Sequence, residues 1–107
     1  MILRLWVTPS AQRDLDGIQD YLLAQSLHAS MRVRSKIEEA FMKLRAHPNL
    51  GHWRDDLVRR PYLVYRVYSY LLIYKEDRGY LRIARVIHAA RDVRAIMEDD
   101  ESGLGSD

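Results

Sequence analysis

The stretch that decides the fold is residues 61–92, PYLVYRVYSYLLIYKEDRGYLRIARVIHAARD. It is rich in tyrosine and branched aliphatic residues, which favour β-strands. Its strongest turn signal is Glu76-Asp77-Arg78-Gly79, because the glycine can take the positive backbone angle that a hairpin turn needs. We expect strands at residues 62–68, 70–75 and 80–88, with a break near Ser69. The same stretch is rich in cations, so scaffold and charged surface are predicted to coincide.

Two amphipathic helices are predicted before this sheet. Apolar residues recur at spacings of three and four in one segment that ends near Gln25 and in another that runs to about Ala46. Thr8 or Ser10 can cap the first helix, and Pro48 disfavours continuation of the second. Because both helices are one-sided and joined by a short connection, we expect them to form a hairpin that covers the sheet.

The remaining elements complete an α+β fold. Residues 2–7 predict a strand, residues 52–60 a loop, and the segment from about Ala90 a short helix that Asp92 can cap. The predicted architecture is an N-terminal strand, an antiparallel two-helix hairpin packed on a small antiparallel sheet whose other three strands are C-terminal, and a short terminal helix. The N-terminal strand is a candidate to extend that sheet.

Length and composition limit the classes of protein and site. With 107 residues the chain fits one domain, which we place at residues 1–97. It has no cysteine, and its four histidines lack the pair spacing of zinc sites, so no disulfide, metal or organic cofactor is implied. The apolar runs are too short for a membrane span. We therefore expect a soluble, cytoplasmic protein.

Charge is distributed unevenly, although the formal net charge is only +2. Residues 1–51 carry seven Lys and Arg against five Asp and Glu, residues 52–97 carry ten against five, and residues 98–107 carry five acids and no cation. A basic domain favours an acidic partner, either nucleic acid or an acidic protein segment, and a complex that weakens with salt. The last ten residues, EDDESGLGSD, are predicted to be a disordered acidic tail. We expect this tail to be solvated rather than folded back as a shield over residues 52–97.

A series of landmarks occurs in a fixed order along nearly the whole chain before the tail. They are Ala11, Asp14, Leu15, Ile18 and Tyr21, then Phe41 and Leu44, then Pro48, Gly51, Arg54, Asp56 and Leu57, then residues 70–74 (YLLIY), Ile83, residues 85–88 (RVIH) and residues 91–92 (RD). In this order they resemble the RelE/ParE superfamily of bacterial type II toxin–antitoxin toxins. The ordered set carries the resemblance, since each landmark alone is common.

The resemblance implies a compact toxin and a cognate antitoxin that wraps it, which we expect to be small, acidic and partly disordered. Members similar to RelE cut messenger RNA on the ribosome, whereas members similar to ParE act on DNA gyrase. The ending RVIHxxRD of residues 85–92 is more similar to the ParE side. We therefore expect a growth-inhibiting toxin that interferes with gyrase by binding. The alternatives are a ribosome-dependent mRNA endonuclease and a degenerate toxin that retains only antitoxin binding.

RNA cleavage needs a base for the ribose 2′-hydroxyl, an acid for the leaving oxygen and cations for the charge that develops on the phosphate. The candidate cations are Arg54, Arg66, Arg82 and Arg85, and His88 is the only obvious acid or base beside the sheet. We favour a structural interpretation of His88, as a strand-end histidine bonded to backbone. No tyrosine follows the last strand to complete a nuclease site.

The residues predicted for an effector or partner surface are Arg54, Arg66, Arg82, Arg85, His88 and Arg91. Strand alternation places Arg82 and Arg85 on opposite faces of the sheet unless a bulge intervenes. Because the arginines are then divided between faces, we favour binding over catalysis. Arg91 and Asp92 are predicted to be a structural pair at a helix start. Trp53 is either a lid on the core or an exposed anchor for a partner, and we favour the lid.

Overall fold

The computed structural model describes residues 2–102. Its elements are β1 (Arg4–Val7), α1 (Pro9–Leu23), α2 (Leu27–Ala46), β2 (Leu63–Val67), β3 (Tyr70–Asp77), β4 (Tyr80–His88) and α3 (Val93–Ser102), with a turn of 3-10 helix at Pro48–Leu50 between α2 and β2. The predicted α+β fold and the predicted order of elements are confirmed.

The four strands form one sheet in the order β1-β4-β3-β2. The three C-terminal strands are antiparallel neighbours, as predicted. The first strand extends the sheet, but it pairs with β4 in parallel. A parallel partner is possible because the helical hairpin supplies the long crossover connection that such pairing requires.

The helices cover both faces of the sheet and produce two apolar clusters. The larger lies between the sheet and the α1–α2 hairpin and includes the fully buried Leu44, Leu72 and Ile83. The smaller lies on the other face under α3 and includes Ile73 and Met97. Since α3 is only ten residues long, it covers only part of that second face.

Positive backbone angles close both hairpins. Between β3 and β4, Arg78 has φ 52° and Gly79 has φ 88°, the two-residue turn type that matches strand twist. Between β2 and β3, Tyr68 takes φ 52° without a glycine. This turn lies beside the predicted break at Ser69.

Polar side chains cap the three helices. Thr8 Oγ1 accepts a hydrogen bond from Ala11 N–H at 3.1 Å at the start of α1, and Ser26 plays the same part for α2. Asp92 Oδ1 accepts from Ala95 N–H at 3.1 Å in α3, as predicted.

Helix α3 continues to Ser102, so the domain boundary predicted after residue 97 falls inside this helix. The Asp100 side chain of this helix accepts hydrogen bonds from Arg85. Asp100 belongs to the segment that composition alone predicted to be disordered. The prediction made for residues 103–107 lies outside the described residues.

Among residues 2–102, no helix is long and apolar enough to cross a membrane. The same residues contain no group of three or more His, Asp or Glu side chains placed to hold a metal ion.

Tyr74 ties the loop after α2 to the sheet. Its ring is fully buried, and its hydroxyl donates to the Pro48 carbonyl at 2.6 Å and accepts from Gly51 N–H at 2.9 Å. A Cβ on residue 51 would lie 2.5 Å from this hydroxyl, so glycine is required for the close approach. Burial raises the pKa of Tyr74 above its ordinary value, although the Gly51 hydrogen bond opposes the shift.

We expect Tyr74→Phe to lower the free energy of unfolding by about 1–3 kcal/mol, because it leaves the Gly51 N–H and the Pro48 carbonyl without their partner. Since the folded state holds the Tyr74 proton to higher pH than the unfolded state, its contribution is complete below pH 10.0 and is lost as pH rises above that value. The free energy of unfolding, measured in urea at several alkaline pH values, should therefore fall less steeply with pH in Tyr74→Phe than in the natural chain. The exposed Tyr21→Phe is the matched control. Equal stability of both variants would show that the hydrogen bonds of Tyr74 to Gly51 and Pro48 do not stabilise the fold.

Candidate functional site

The six residues predicted for the site lie in five separate places. Arg85 is in a buried ion-pair network, Arg82 is stacked among aromatic rings, and His88 and Arg91 line a cleft at the end of β4. The other two, Arg54 and Arg66, lie in the loop before β2 and on β2 itself. The structure therefore does not gather the six into one constellation.

Arg85 joins α1 and α3 to the sheet. Its guanidinium binds Asp14 through Nε at 2.7 Å and Nη2 at 2.8 Å, and binds both oxygens of Asp100 through Nη1 at 2.8 Å. The Arg85 and Asp14 side chains are only 13% and 10% exposed. Hydrogen bonds to Asp14, and then to Asp100, raise the pKa of Arg85 above its ordinary value and outweigh the opposing effect of burial. This arginine is occupied in holding the fold together.

The start of α1 also seals an edge of β4. Strand β1 ends at Val7, and beyond that point α1 and its cap satisfy the backbone of β4. Thr8 Oγ1 donates to the Ala84 carbonyl at 3.0 Å, and Val86 N–H donates to Asp14 at 2.9 Å. Two backbone polar groups of β4 beyond the end of β1 are thereby paired.

A β-bulge in β4 changes the predicted placement of Arg82 and Arg85 on opposite faces of the sheet. Arg82 pairs with Lys75 and Arg85 pairs with Ile73, with Ala84 as the extra residue of β4. Lys75 and Ile73 are two residues apart on β3 and so share a face. Arg82 and Arg85 therefore start from the same face of the sheet, contrary to simple alternation, and only their different contacts separate them.

Arg82 is part of an aromatic and cationic surface on the face that carries α3. Its guanidinium lies 5.0 Å from the Trp6 ring centroid, and its Nη1 donates to the Tyr62 hydroxyl at 3.3 Å. Lys75 lies 5.2 Å from the Tyr62 ring. Tyr80 contacts Trp6 edge to face with ring centroids 6.1 Å apart. We call this surface, formed by Arg4, Trp6, Tyr62, Lys75, Tyr80 and Arg82, the sheet platform.

His88 and Arg91 line a cleft of about 500 Å³ between the end of β4 and α1. Arg13 lines it from the helix side, and the Tyr70 ring meets the His88 ring edge to face at 5.3 Å. His88 Nδ1 accepts a hydrogen bond from Ala90 N–H at 3.0 Å, the backbone contact expected of a strand-end histidine. Asp14, the partner of Arg85, also lines this cleft, whereas Arg82 and Arg85 do not.

The last two predicted arginines are engaged close to their own positions. Arg54 forms a bidentate pair with Asp56 at 2.9 and 2.8 Å, which raises the pKa of Arg54 and lowers that of the Asp56 carboxyl. Arg66 Nε donates to the Tyr68 carbonyl at 2.7 Å. Both side chains are exposed, so these contacts leave them accessible to a partner.

Trp53 is not the core lid that the sequence predicted. Its side chain is 46% exposed, and the Arg60 guanidinium stacks on the ring at 4.6 Å. The loop before β2 closes over the second face with Val58 instead.

An apolar groove of about 510 Å³ runs between β1 and the helical hairpin. We call it the hairpin groove; its lining includes Leu5, Ile18, Phe41 and Met42. Leu5 and Met42 are 40% and 59% exposed, although both are apolar. An accessible apolar groove beside an edge strand fits an amphipathic or extended segment of another chain.

The amino-acid sequence matches the family model described as "ParE toxin of type II toxin-antitoxin system, parDE" over residues 5–93. The chain belongs to this ParE toxin family. The matched region contains the helical hairpin and all of the sheet except Arg4, and so includes the hairpin groove and most of the sheet platform.

Two solved structures share the fold of this ParE-family chain. One is a chromosomal ParDE toxin–antitoxin system from P. aeruginosa, with a TM-score of 0.69 and 19% identity over 81% of this chain and 96% of that chain. The other is the RelBE2 toxin–antitoxin complex from Mycobacterium tuberculosis, with a TM-score of 0.56 and 26% identity over 82% of this chain and 99% of that chain. No curated protein sequence is similar enough to count as a match.

Sequence reasoning missed the sheet platform of this ParE-family chain. Trp6 and Tyr80 belong to strands that lie far apart in sequence, and their meeting depends on the parallel register that pairs Arg4 with Tyr80 and Trp6 with Arg82. The alternation Arg4-x-Trp6 and Tyr80-x-Arg82 was a usable signal. It becomes informative only when β1 is known to lie beside β4.

Proposed function

We propose that this chain is the toxin of a type II toxin–antitoxin system, that it inhibits growth by interfering with DNA gyrase, and that a cognate antitoxin neutralises it. The observation that carries the proposal is the match to the ParE toxin family over residues 5–93. ParE-like members of the superfamily act on gyrase, and the ending RVIHxxRD agrees with that branch. Gyrase as the target places the site of action in the cytoplasm.

The geometry of the predicted catalytic residues supports action by binding. A nuclease site needs an acid or base within reach of cations that face the same phosphate. In residues 2–102, Arg85 is enclosed by two carboxylates, Arg82 contacts Trp6 and Tyr62, and His88 lies in a different cleft. An acid–base group and these strand arginines therefore do not share a site.

Expression of the chain alone in bacteria tests the target. We expect growth to stop, chromosomal double-strand breaks to accumulate, and transcript 5′ ends to stay unchanged. Co-expression of a small acidic protein encoded in the adjacent reading frame is the control and should restore growth. New 5′ ends within translated regions would instead identify a ribosome-dependent endonuclease. Normal growth without either lesion would identify a degenerate toxin.

We place the antitoxin on the hairpin groove. The groove presents exposed apolar side chains at Leu5 and Met42 beside an edge strand, and both similar solved structures are toxin–antitoxin complexes. A partly disordered antitoxin can order itself there by laying apolar residues into the groove.

Met42→Glu should weaken antitoxin binding by at least about tenfold, because it places a charge in the apolar groove that the partner must fill. Met31→Glu is the matched control, since Met31 is 61% exposed on the same helix but does not line the groove. Both affinities are measured by calorimetry with the purified antitoxin. Equal affinity for the two variants would place the antitoxin elsewhere.

A further inference from the structure

The sheet platform alternates cations and aromatic rings across three strands of one face. Register pairs Arg4 with Tyr80, Trp6 with Arg82, and Lys75 with Arg82. Arg4 lies 5.3 Å from the centroid of the Tyr80 ring. Each aromatic side chain of β1 and β4 thus has a cation as its direct cross-strand neighbour.

The Trp6 ring is partly covered and partly accessible. Arg82 stacks on it at 5.0 Å and is only 9% exposed, so the guanidinium lies on the inner side of the ring. Trp6 itself is 38% exposed, so part of its side chain stays accessible to solvent beside Arg82 and Tyr80. The accessible part of this indole is available to another planar group from solvent.

The charge around this ring is predominantly positive. Arg4, Lys75 and Arg82 belong to the platform, and Arg78 lies at the adjacent β3–β4 turn with its side chain 97% exposed. Asp77 is the carboxylate that pairs across from Tyr80, and it lies 3.9 Å from Arg78. Because several cations lie along this surface, it fits an extended anion that carries several negative groups.

We propose that the sheet platform binds single-stranded nucleic acid, with a base stacked on Trp6, a second base on Tyr80, and the intervening phosphates near Arg4 and Lys75. Aromatic rings interleaved with cations bind single strands because every base has a stacking face and every linkage has a charge. A duplex keeps its bases stacked internally and cannot use Trp6 in this way. The binding does not depend on gyrase being the target of the toxin.

Trp6 can report the binding directly. The chain contains two tryptophans, so the full-length Trp53→Phe variant has Trp6 as its only indole. We expect oligothymidylate of about ten nucleotides, a length in the range of known single-strand sites, to quench Trp6 fluorescence with saturation. A hairpin duplex with the same number of phosphates should quench little.

Anisotropy with labelled oligothymidylate tests the residues. Trp6→Ala should lower the affinity by at least about fivefold, and Trp6→Phe should restore part of it, because stacking is retained. Trp53→Ala is the matched control, since it also removes an exposed tryptophan stacked on an arginine, but one outside the platform. Arg4→Gln should reduce the dependence of affinity on salt, whereas Arg34→Gln on α2 should leave it unchanged.

Three results would overturn the proposal. The first is the absence of saturable quenching. The second is an affinity for the duplex, or for oligoglutamate as a polyanion without bases, equal to that for oligothymidylate. The third is an equal loss of affinity in Trp6→Ala and Trp53→Ala. Equal binding of oligoglutamate would mean that the surface attracts any polyanion, including an acidic protein segment, without stacking. Thermal unfolding of each variant confirms that the comparison is made between folded proteins.

Discussion

Asp14→Ala should lower the free energy of unfolding by about 3–5 kcal/mol, the range seen when one partner of a buried ion pair is removed. The loss is large because a whole domain of this kind is stable by only about 5–15 kcal/mol. Asp14 accepts two hydrogen bonds from Arg85 and one from Val86 N–H, and its side chain is 10% exposed. Its removal leaves the buried guanidinium with Asp100 as its carboxylate partner among the described residues and leaves the Val86 N–H without its acceptor.

Urea unfolding followed by circular dichroism measures this effect. Asp16→Ala is the matched control, because Asp16 lies two residues further along α1 and is exposed; its loss should stay within about 0.5 kcal/mol. Adding Arg85→Met to Asp14→Ala should recover part of the lost stability, since the stranded charge is then gone. If Asp14→Ala unfolds at the same urea concentration as Asp16→Ala, the buried network does not hold the fold together.

Thr8→Val should lower the free energy of unfolding by about 2–4 kcal/mol, which combines the loss of a helix cap with an unsatisfied buried carbonyl. Thr8 is fully buried, and its hydroxyl both caps α1 at Ala11 and donates to the carbonyl of the bulge residue Ala84. Valine keeps the shape of threonine but has no hydroxyl, so the change tests the hydrogen bonds rather than the packing.

Two comparisons isolate this hydroxyl. Ser26→Ala removes the exposed cap of α2, which makes no such second bond among the described residues, and should lower stability by only about 1 kcal/mol. Thr8→Ser retains the hydroxyl and should be closer to the natural chain than Thr8→Val. A Thr8→Val variant no less stable than Ser26→Ala would show that the bulge does not need the threonine.

The order and type of the elements could be predicted from local patterns. Helical spacing, the caps at Thr8 and Ser26, and the Arg78-Gly79 turn are each encoded in a few neighbouring residues. The end of α3 could not be predicted in the same way. Its last turn carries Asp100, which binds Arg85, and composition does not reveal this contact.

The site was less predictable than the fold because it depends on register. One extra residue at Ala84 returns Arg85 to the face of Arg82, and one parallel pairing brings Trp6 to Arg82. Trp53 was predicted to be buried from its size, but it is supported by Arg60 at the surface. Residue type thus supplied the candidate cations, whereas their partners were decided by contacts between distant segments.

Purified gyrase and plasmid DNA provide the most direct test of the central claim, that this ParE-family toxin interferes with gyrase. Gyrase is incubated with relaxed plasmid, ATP and increasing amounts of the full-length chain, and the supercoiled and linear products are separated after detergent and protease treatment. The account predicts that the chain abolishes supercoiling and produces linear DNA from trapped cleavage complexes. Adding the antitoxin first should prevent both effects. Unchanged supercoiling with no linear DNA, at concentrations well above those of gyrase, would contradict it.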